Sequence, residues 1–172
     1  MSTDSANKTL VAYHEAAHAC LAVLQGRPVV SVSIAPADAS RGHSDHGKLP
    51  EDLDLAYLDE EETEMLVQEI RSLVGGELAV HMFCEKHQHP LPTDAGGAAD
   101  WNTAIVWADA IAEGDMDVRQ TVLDEAQAWT RQALSGNWAG ITAVAEALLA
   151  EETLPGHRVE VVFRDAMAHT NT

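Results

Sequence analysis

The sequence predicts a mainly α-helical fold of about six helices with one small β element. Apolar residues recur at the three- and four-residue spacing of an amphipathic helix in six segments of the chain. One short segment is instead rich in β-branched residues, which favour a strand. At 172 residues the chain is expected to form a single domain, residues 1–172, with flexible tails at residues 1–7 and 168–172.

The first two elements are predicted close to the amino terminus. The first helix is expected over residues 8–25, because Gly26 suits the left-handed end of a helix and a proline follows two residues later. The β-branched segment at residues 29–34 alternates with serine and stops before Pro36, so it is the best strand candidate. Residues 37–50 are expected to form a loop or an irregular hairpin.

The second helix is predicted to begin with a capping box, in which Asp59 is the cap and Glu62 follows three residues later. Gly75 and Gly76 fall inside this helix, where each glycine costs about 1 kcal/mol relative to alanine. Close approach of another helix is the expected compensation. Further helices are predicted to begin near residue 98 or 100, at residue 115 or 117, and at residue 137. The carboxy-terminal segment has helical spacing, although a short alternation within it would also suit a strand.

The most specific functional motif is His14-Glu15-Ala16-Ala17-His18, inside the first predicted helix. Residues four apart on a helix lie one turn apart on the same face, so both imidazoles can reach one metal ion. The spacing is that of zinc peptidases, in which the glutamate is the general base for a water molecule that the ion activates. His14 and His18 are therefore predicted zinc ligands, and Glu15 is the predicted catalytic base. The alternative is a pair of solvated histidines, which the surrounding apolar helical pattern disfavours.

The composition excludes several classes of function. A formal net charge of −18 argues against binding to nucleic acids and to anionic membrane surfaces. Two cysteines are too few for a disulfide framework, and no apolar stretch approaches the roughly 20 residues that cross a bilayer. The amino terminus is polar and lacks the apolar region of a signal peptide. A cytoplasmic protein without membrane insertion is expected.

A zinc site needs at least one further protein ligand, and Asp100 is the candidate. It opens a predicted helix after a glycine-rich turn, where the backbone can pass close to the site. The same position also suits a helix N-cap, and the spacing alone favours the N-cap.

Two other groups of histidines have alternative interpretations. His43 and His46 flank the predicted strand and are either solvated or able to stabilise an oxyanion. A further cluster comprises His81, Cys84, His87 and His89. It is either a second metal site or a helix end at which cationic histidines interact favourably with the helix dipole.

Several segments occur in an order typical of one enzyme family. They are residues 14–19, the strand at 29–36, the Gly75-Gly76 pair, residues 96–100 and the run at 148–156. Together they resemble the peptidase domain of FtsH-type AAA proteases over residues 8 to about 165.

The resemblance implies a set of site residues and a fold. In that family, zinc is held by the two histidines of the motif and by an aspartate that falls on Asp100. The implied fold is mainly helical, with a small β element flanking the active-site cleft. Extended substrate is expected to pair with the edge of that element. The substrate-binding residues would then be Val30, Val32 and Ile34.

The chain also departs from the family pattern. Val80 and His81 replace the acidic pair that usually follows the two glycines. The expectation is a freestanding, ATP-independent zinc endopeptidase for flexible or unfolded polypeptides, without the family's ATPase module or membrane anchor. A homo-oligomer and an ATPase acting in trans are open questions. The alternative function is a proteolytically inactive, metal-binding relative that acts as a binding or regulatory module.

Overall fold

The fold is seen in a computed structural model, in which residues 3–35, 43–45, 49, 53–92 and 97–170 are described. Six helices and three short strands occur within these residues, which confirms the mainly helical prediction. The helices are α1 Thr3–Leu24, α2 Glu60–His87, α3 Ala98–Ile111, α4 Met116–Gly136, α5 Trp138–Glu151 and α6 Gly156–Thr170. The strands are β1 Ser31–Ser33, β2 His43–Asp45 and β3 Thr153–Pro155.

The helices at both ends of the chain are longer than the sequence pattern indicated. α1 begins at Thr3, before the predicted residue 8, and α6 continues to Thr170. The carboxy-terminal segment is therefore a helix and not a strand. Helical structure reaches into both predicted tails, whereas the single-domain organisation and the flexibility of the tails stay predictions. No helix in the described parts of the chain combines the length and the apolar character needed to cross a membrane.

Local signals at the start of α2 act as predicted. Asp59 Oδ1 accepts a hydrogen bond from the Glu62 backbone N–H at 2.8 Å, and Glu62 Oε2 accepts one from the Asp59 N–H at 2.9 Å. This capping box fixes the start of a 28-residue helix. At the other end of α2, Gln88 adopts the left-handed conformation, with φ of 51°.

The three strands form one small antiparallel sheet in the order β2-β1-β3. The sequence pattern does not predict β3, because three residues are too few for an alternation to be recognised. Gly156 follows β3 directly, and its N–H donates a hydrogen bond to Val30 O at 2.8 Å. A Cβ on Gly156 would collide with Val29 O, so only glycine fits where the chain leaves the sheet and enters α6.

α1 is the central helix of the core. It packs against α2 and α5, while α2 also contacts α3 and α4, and α5 contacts α6. Gly75 allows α1 and α2 to come together, because a Cβ there would collide with Leu21 of α1. The predicted close approach of another helix is confirmed at this position. Fully buried apolar side chains of the core include Leu21, Ile70, Leu134, Ile141, Val144 and Leu148.

Candidate metal centre

The two motif histidines lie on the buried face of α1. His14 and His18 are 8% and 6% exposed, and their rings meet edge to face with centroids 4.6 Å apart. Their Nε2 atoms are 3.0 Å apart. One helical turn therefore brings both nitrogens to a single point, in the way that the four-residue spacing indicates.

Gly76 of α2 provides the space that the two imidazoles occupy. A Cβ at this position would lie 2.5 Å from His14 Cε1 and 2.6 Å from His18 Nε2. Both distances are well below the separation of about 3.5 Å at which carbon atoms pack. A side chain of any kind at residue 76 would displace the histidines, which explains the second glycine within α2.

Asp100 comes to the same point from α3. This helix begins at Ala98 with Gly97 at the N-cap and without a side-chain capping hydrogen bond, so the N-cap alternative for Asp100 is wrong. Asp100 Oδ2 lies 3.2 Å from His14 Nε2 and 3.5 Å from His18 Nε2. The Asp100 side chain is 28% exposed, which makes this side of the site accessible from solvent.

The three side-chain atoms have the spacing of zinc ligands. The two imidazole nitrogens and the carboxylate oxygen form a triangle with sides of 3.0, 3.2 and 3.5 Å. In a tetrahedral site with bonds of about 2.0–2.2 Å, neighbouring ligand atoms are about 3.3 Å apart. The triangle thus has the size of one tetrahedral face, and the donor set fits zinc. Within the residues described, these three side chains form the one group of His, Cys, Asp or Glu whose ligand atoms converge in this way.

A backbone carbonyl fixes the orientation of one ring. His18 Nδ1 lies 2.8 Å from Ser72 O in α2. Because a carbonyl only accepts hydrogen bonds, Nδ1 carries the proton and Nε2 keeps its lone pair for a metal. His14 Nδ1 is buried and has no hydrogen-bond partner in the described structure, so packing against Gly76 sets the orientation of that ring.

The two carboxylates of the site have opposite pKa shifts. Burial raises the pKa of Glu15 to about 7, an effect that His18 opposes and Asp100 reinforces. Burial would raise the pKa of Asp100 as well, but hydrogen bonds and charge interactions with His14 and His18 hold it well below its usual range. Asp100 is therefore ionised, as a metal ligand must be, whereas Glu15 can exchange a proton near neutral pH.

The structure contradicts the prediction that residues 29–34 offer a free edge to substrate. β1 is the central strand, and its two edges pair with β2 and β3. Val32 and Ile34 are 0% and 3% exposed, whereas Val30 is 58% exposed. The prediction is wrong because a β-branched, alternating segment describes a central strand as well as an outer one.

The histidine cluster at the end of α2 lies apart from this group of three ligands. The cluster at the end of α2 brings no three ligand atoms together in the described part of the chain, so a second metal site there is not supported. His81 Nε2 instead lies 3.7 Å from Glu77 Oε1, and Cys84 is buried in a small apolar cluster. Of the loop histidines, His46 and the side chain of His43 lie outside the described residues.

Sequence reasoning missed two residues that shape the site. Ser72 lies four residues before Gly76 on α2, and a small residue followed by glycine on one helical face is a signal for a close contact. Glu77 packs against Gly97 at the start of α3, where a Cβ would lie 3.0 Å from Glu77 Cβ. No pattern in a single sequence identifies that contact, because it joins two distant segments.

Comparison with known proteins gives a distant similarity in sequence. No family model matches the chain. The chain is 29% identical over 179 aligned residues to the ATP-dependent zinc metalloprotease FtsH of Opitutus terrae. This similarity supports a distant FtsH-like relationship. The alignment covers 89% of the chain but 28% of that relative, so the chain spans less than a third of the relative's length.

Proposed function

We propose that this chain is a zinc-dependent endopeptidase that cleaves flexible or unfolded polypeptides. The observation that supports this most directly is the triangle of His14, His18 and Asp100, with sides that match a face of a zinc tetrahedron. Similarity to a zinc metalloprotease over 89% of the chain points to the same chemistry. A zinc ion held by these residues would polarise a peptide carbonyl and lower the pKa of an attacking water molecule to about 7.

Three residues are proposed to hold the ion, and a fourth is proposed to transfer a proton. His14 and His18 supply neutral nitrogens, and the hydrogen bond to Ser72 O keeps the His18 lone pair available. Asp100 supplies the single negative charge among the three ligands. Glu15 is buried beside them with a pKa of about 7, so it can accept the proton of the attacking water and return it to the leaving amine.

Extended substrate is proposed to pair with the outer edge of β2. β2 pairs with β1 on one side and lies against α1, the helix of the motif, whereas the other outer strand, β3, lies against α5 and α6. Main-chain pairing recognises the peptide backbone, so broad side-chain selectivity is expected.

Neither a homo-oligomer nor an ATPase acting in trans is required for cleavage of a polypeptide that is already extended. The proposed location is the cytoplasm, consistent with two free cysteines.

Cleavage of a reduced, carboxymethylated protein by the zinc-loaded chain tests the proposal. The wild type should cleave it, and Glu15→Gln should lose at least about 100-fold in rate at equal zinc content, because the general base is removed. Equal behaviour of the two proteins at full zinc occupancy would refute the peptidase and favour a metal-binding relative that acts as a binding or regulatory module. A wild type that binds no zinc would refute both functions.

A further inference from the structure

A cavity of about 320 Å³ opens between α2, α3 and α4. This volume lies in the range of small-ligand sites, about 300–1,000 Å³. Its apolar lining comes from Val74, Leu78 and Trp101, and its polar lining comes from Glu77, His81, Gln127 and Arg131. Apolar walls combined with a few polar groups are typical of a binding site for part of a larger ligand.

The cavity adjoins the metal centre along two segments of backbone. Trp101 directly follows Asp100, and Glu77 directly follows Gly76, which packs against both histidines. Consecutive Cα atoms are about 3.8 Å apart, and an extended peptide advances about 3.4 Å per residue. The cavity lining therefore begins one residue from the metal centre on both α2 and α3, and this separation is similar to the advance of an extended peptide per residue.

Arg131 differs from the other arginines in the described residues. Five of them form ion pairs with carboxylates: Arg27 with Glu69, Arg71 with Glu64, Arg119 with Asp109, Arg158 with Glu151, and Arg164 with Glu160. Arg131 forms no ion pair within the same residues, although the chain contains 28 aspartates and glutamates. A guanidinium that lines a cavity without a carboxylate partner is suited to bind a carboxylate in a two-point arrangement.

We propose that this cavity is a substrate subsite in which Arg131 binds a carboxylate of the polypeptide; this inference rests on the proposed peptidase function. Gln127 lies one turn before Arg131 on α4 and offers an amide N–H to the same group. The aliphatic part of the substrate packs on Trp101. Glu77 lines the α2 wall and would repel a carboxylate, whereas Arg131 lies on the α4 wall and would attract one. The substrate class is thus a peptide with an acidic side chain or a free carboxy terminus near the scissile bond.

Peptide binding to the zinc-loaded Glu15→Gln protein tests the subsite without turnover. Four dye-labelled peptides of one sequence would contain an internal Glu or Gln, each with a free or an amidated carboxy terminus. Fluorescence anisotropy should show at least about 10-fold tighter binding for peptides with the recognised carboxylate, since hydrogen bonds to charged groups are the stronger class. The four peptides distinguish an acidic side chain from a terminal carboxylate as the source.

The matched variants remove the same charge at two different places. Arg131→Gln should abolish the preference for the carboxylate, Arg131→Lys should retain part of it, and Arg164→Gln, on an exposed face of α6, should leave it unchanged. Absence of any peptide binding, absence of a carboxylate preference, or an equal preference in Arg131→Gln would overturn the proposal. If wild type fails to cleave but the preference still depends on Arg131, the peptidase proposal fails and the cavity assignment is supported.

Discussion

Gly76→Ala is expected to impair zinc binding while the helical fold is retained. The added Cβ would lie 2.5 Å from His14 Cε1 and 2.6 Å from His18 Nε2, about 1 Å closer than a favourable contact. Both rings must then move, so the ligand atoms no longer keep the separations of 3.0 to 3.5 Å that match a tetrahedral face. Disturbing the residues that orient metal ligands typically costs 10–100-fold in metal affinity, and we expect a loss of about this size. The better helix propensity of alanine, about 1 kcal/mol, partly offsets the strain in the metal-free protein.

Competition with a chromophoric chelator measures the affinity, and two other glycines are the controls. Gly75→Ala collides with Leu21 in the core, so it should lower the melting temperature while leaving zinc affinity nearly unchanged. Gly136→Ala meets no atom within 4 Å and should change neither quantity. The reasoning is refuted if Gly76→Ala binds zinc as tightly as wild type, or if Gly75→Ala weakens binding equally.

Three further predictions concern other parts of the structure. Zinc at 100 times its dissociation constant should stabilise the wild type by about 2.7 kcal/mol, and Asp100→Ala should lose most of this gain in a melting experiment; an equal gain in both proteins would exclude Asp100 as a ligand. In the metal-free protein, Glu15→Gln should be more stable than wild type above pH 7, by up to about 3 kcal/mol, because burial raises the folded-state pKa of Glu15 to about 7 from its ordinary 4.5. The free energy of unfolding of the wild type decreases by this amount as the pH rises from about 4.5 through 7. At pH 4, urea unfolding should therefore give the same free energy for the wild type and for Glu15→Gln. Gly156→Ala should destabilise the protein by about 1–3 kcal/mol, since its Cβ would collide with Val29 O; unchanged urea unfolding would contradict that contact.

The parts of the fold that the sequence predicts correctly depend on short-range interactions. The capping box joins Asp59 to a residue three positions later, and the histidine pair joins positions four apart. Such contacts are dictated by helix geometry, so a single sequence is enough to recognise them. The two glycines in α2 also predict a close contact correctly, because the free energy that glycine costs within a helix requires a compensating interaction.

The parts that could not be predicted depend on pairing between distant segments. β1 owes its central position to β3, which lies about 120 residues later and is too short to leave a pattern. Without β3, the alternation at residues 29–34 is compatible with an outer strand, so the sequence alone does not show that both edges of this strand are paired. Trp101 packs against the core and also lines a cavity, and the sequence alone favours only the first of these roles.

The geometry of the metal centre links ion binding to the start of α3. Asp100 and His14 are 86 positions apart in the chain, and Gly97 gives α3 no side-chain cap. In the described structure, the contacts of Asp100 with the two imidazoles instead connect the first turn of α3 to α1. Because α1 lies at the centre of the core, its histidines present a fixed point to which that first turn can attach. An ion bound by all three side chains would strengthen this connection between α1 and α3. Zinc affinity and the stability of the first turn of α3 must therefore be thermodynamically coupled.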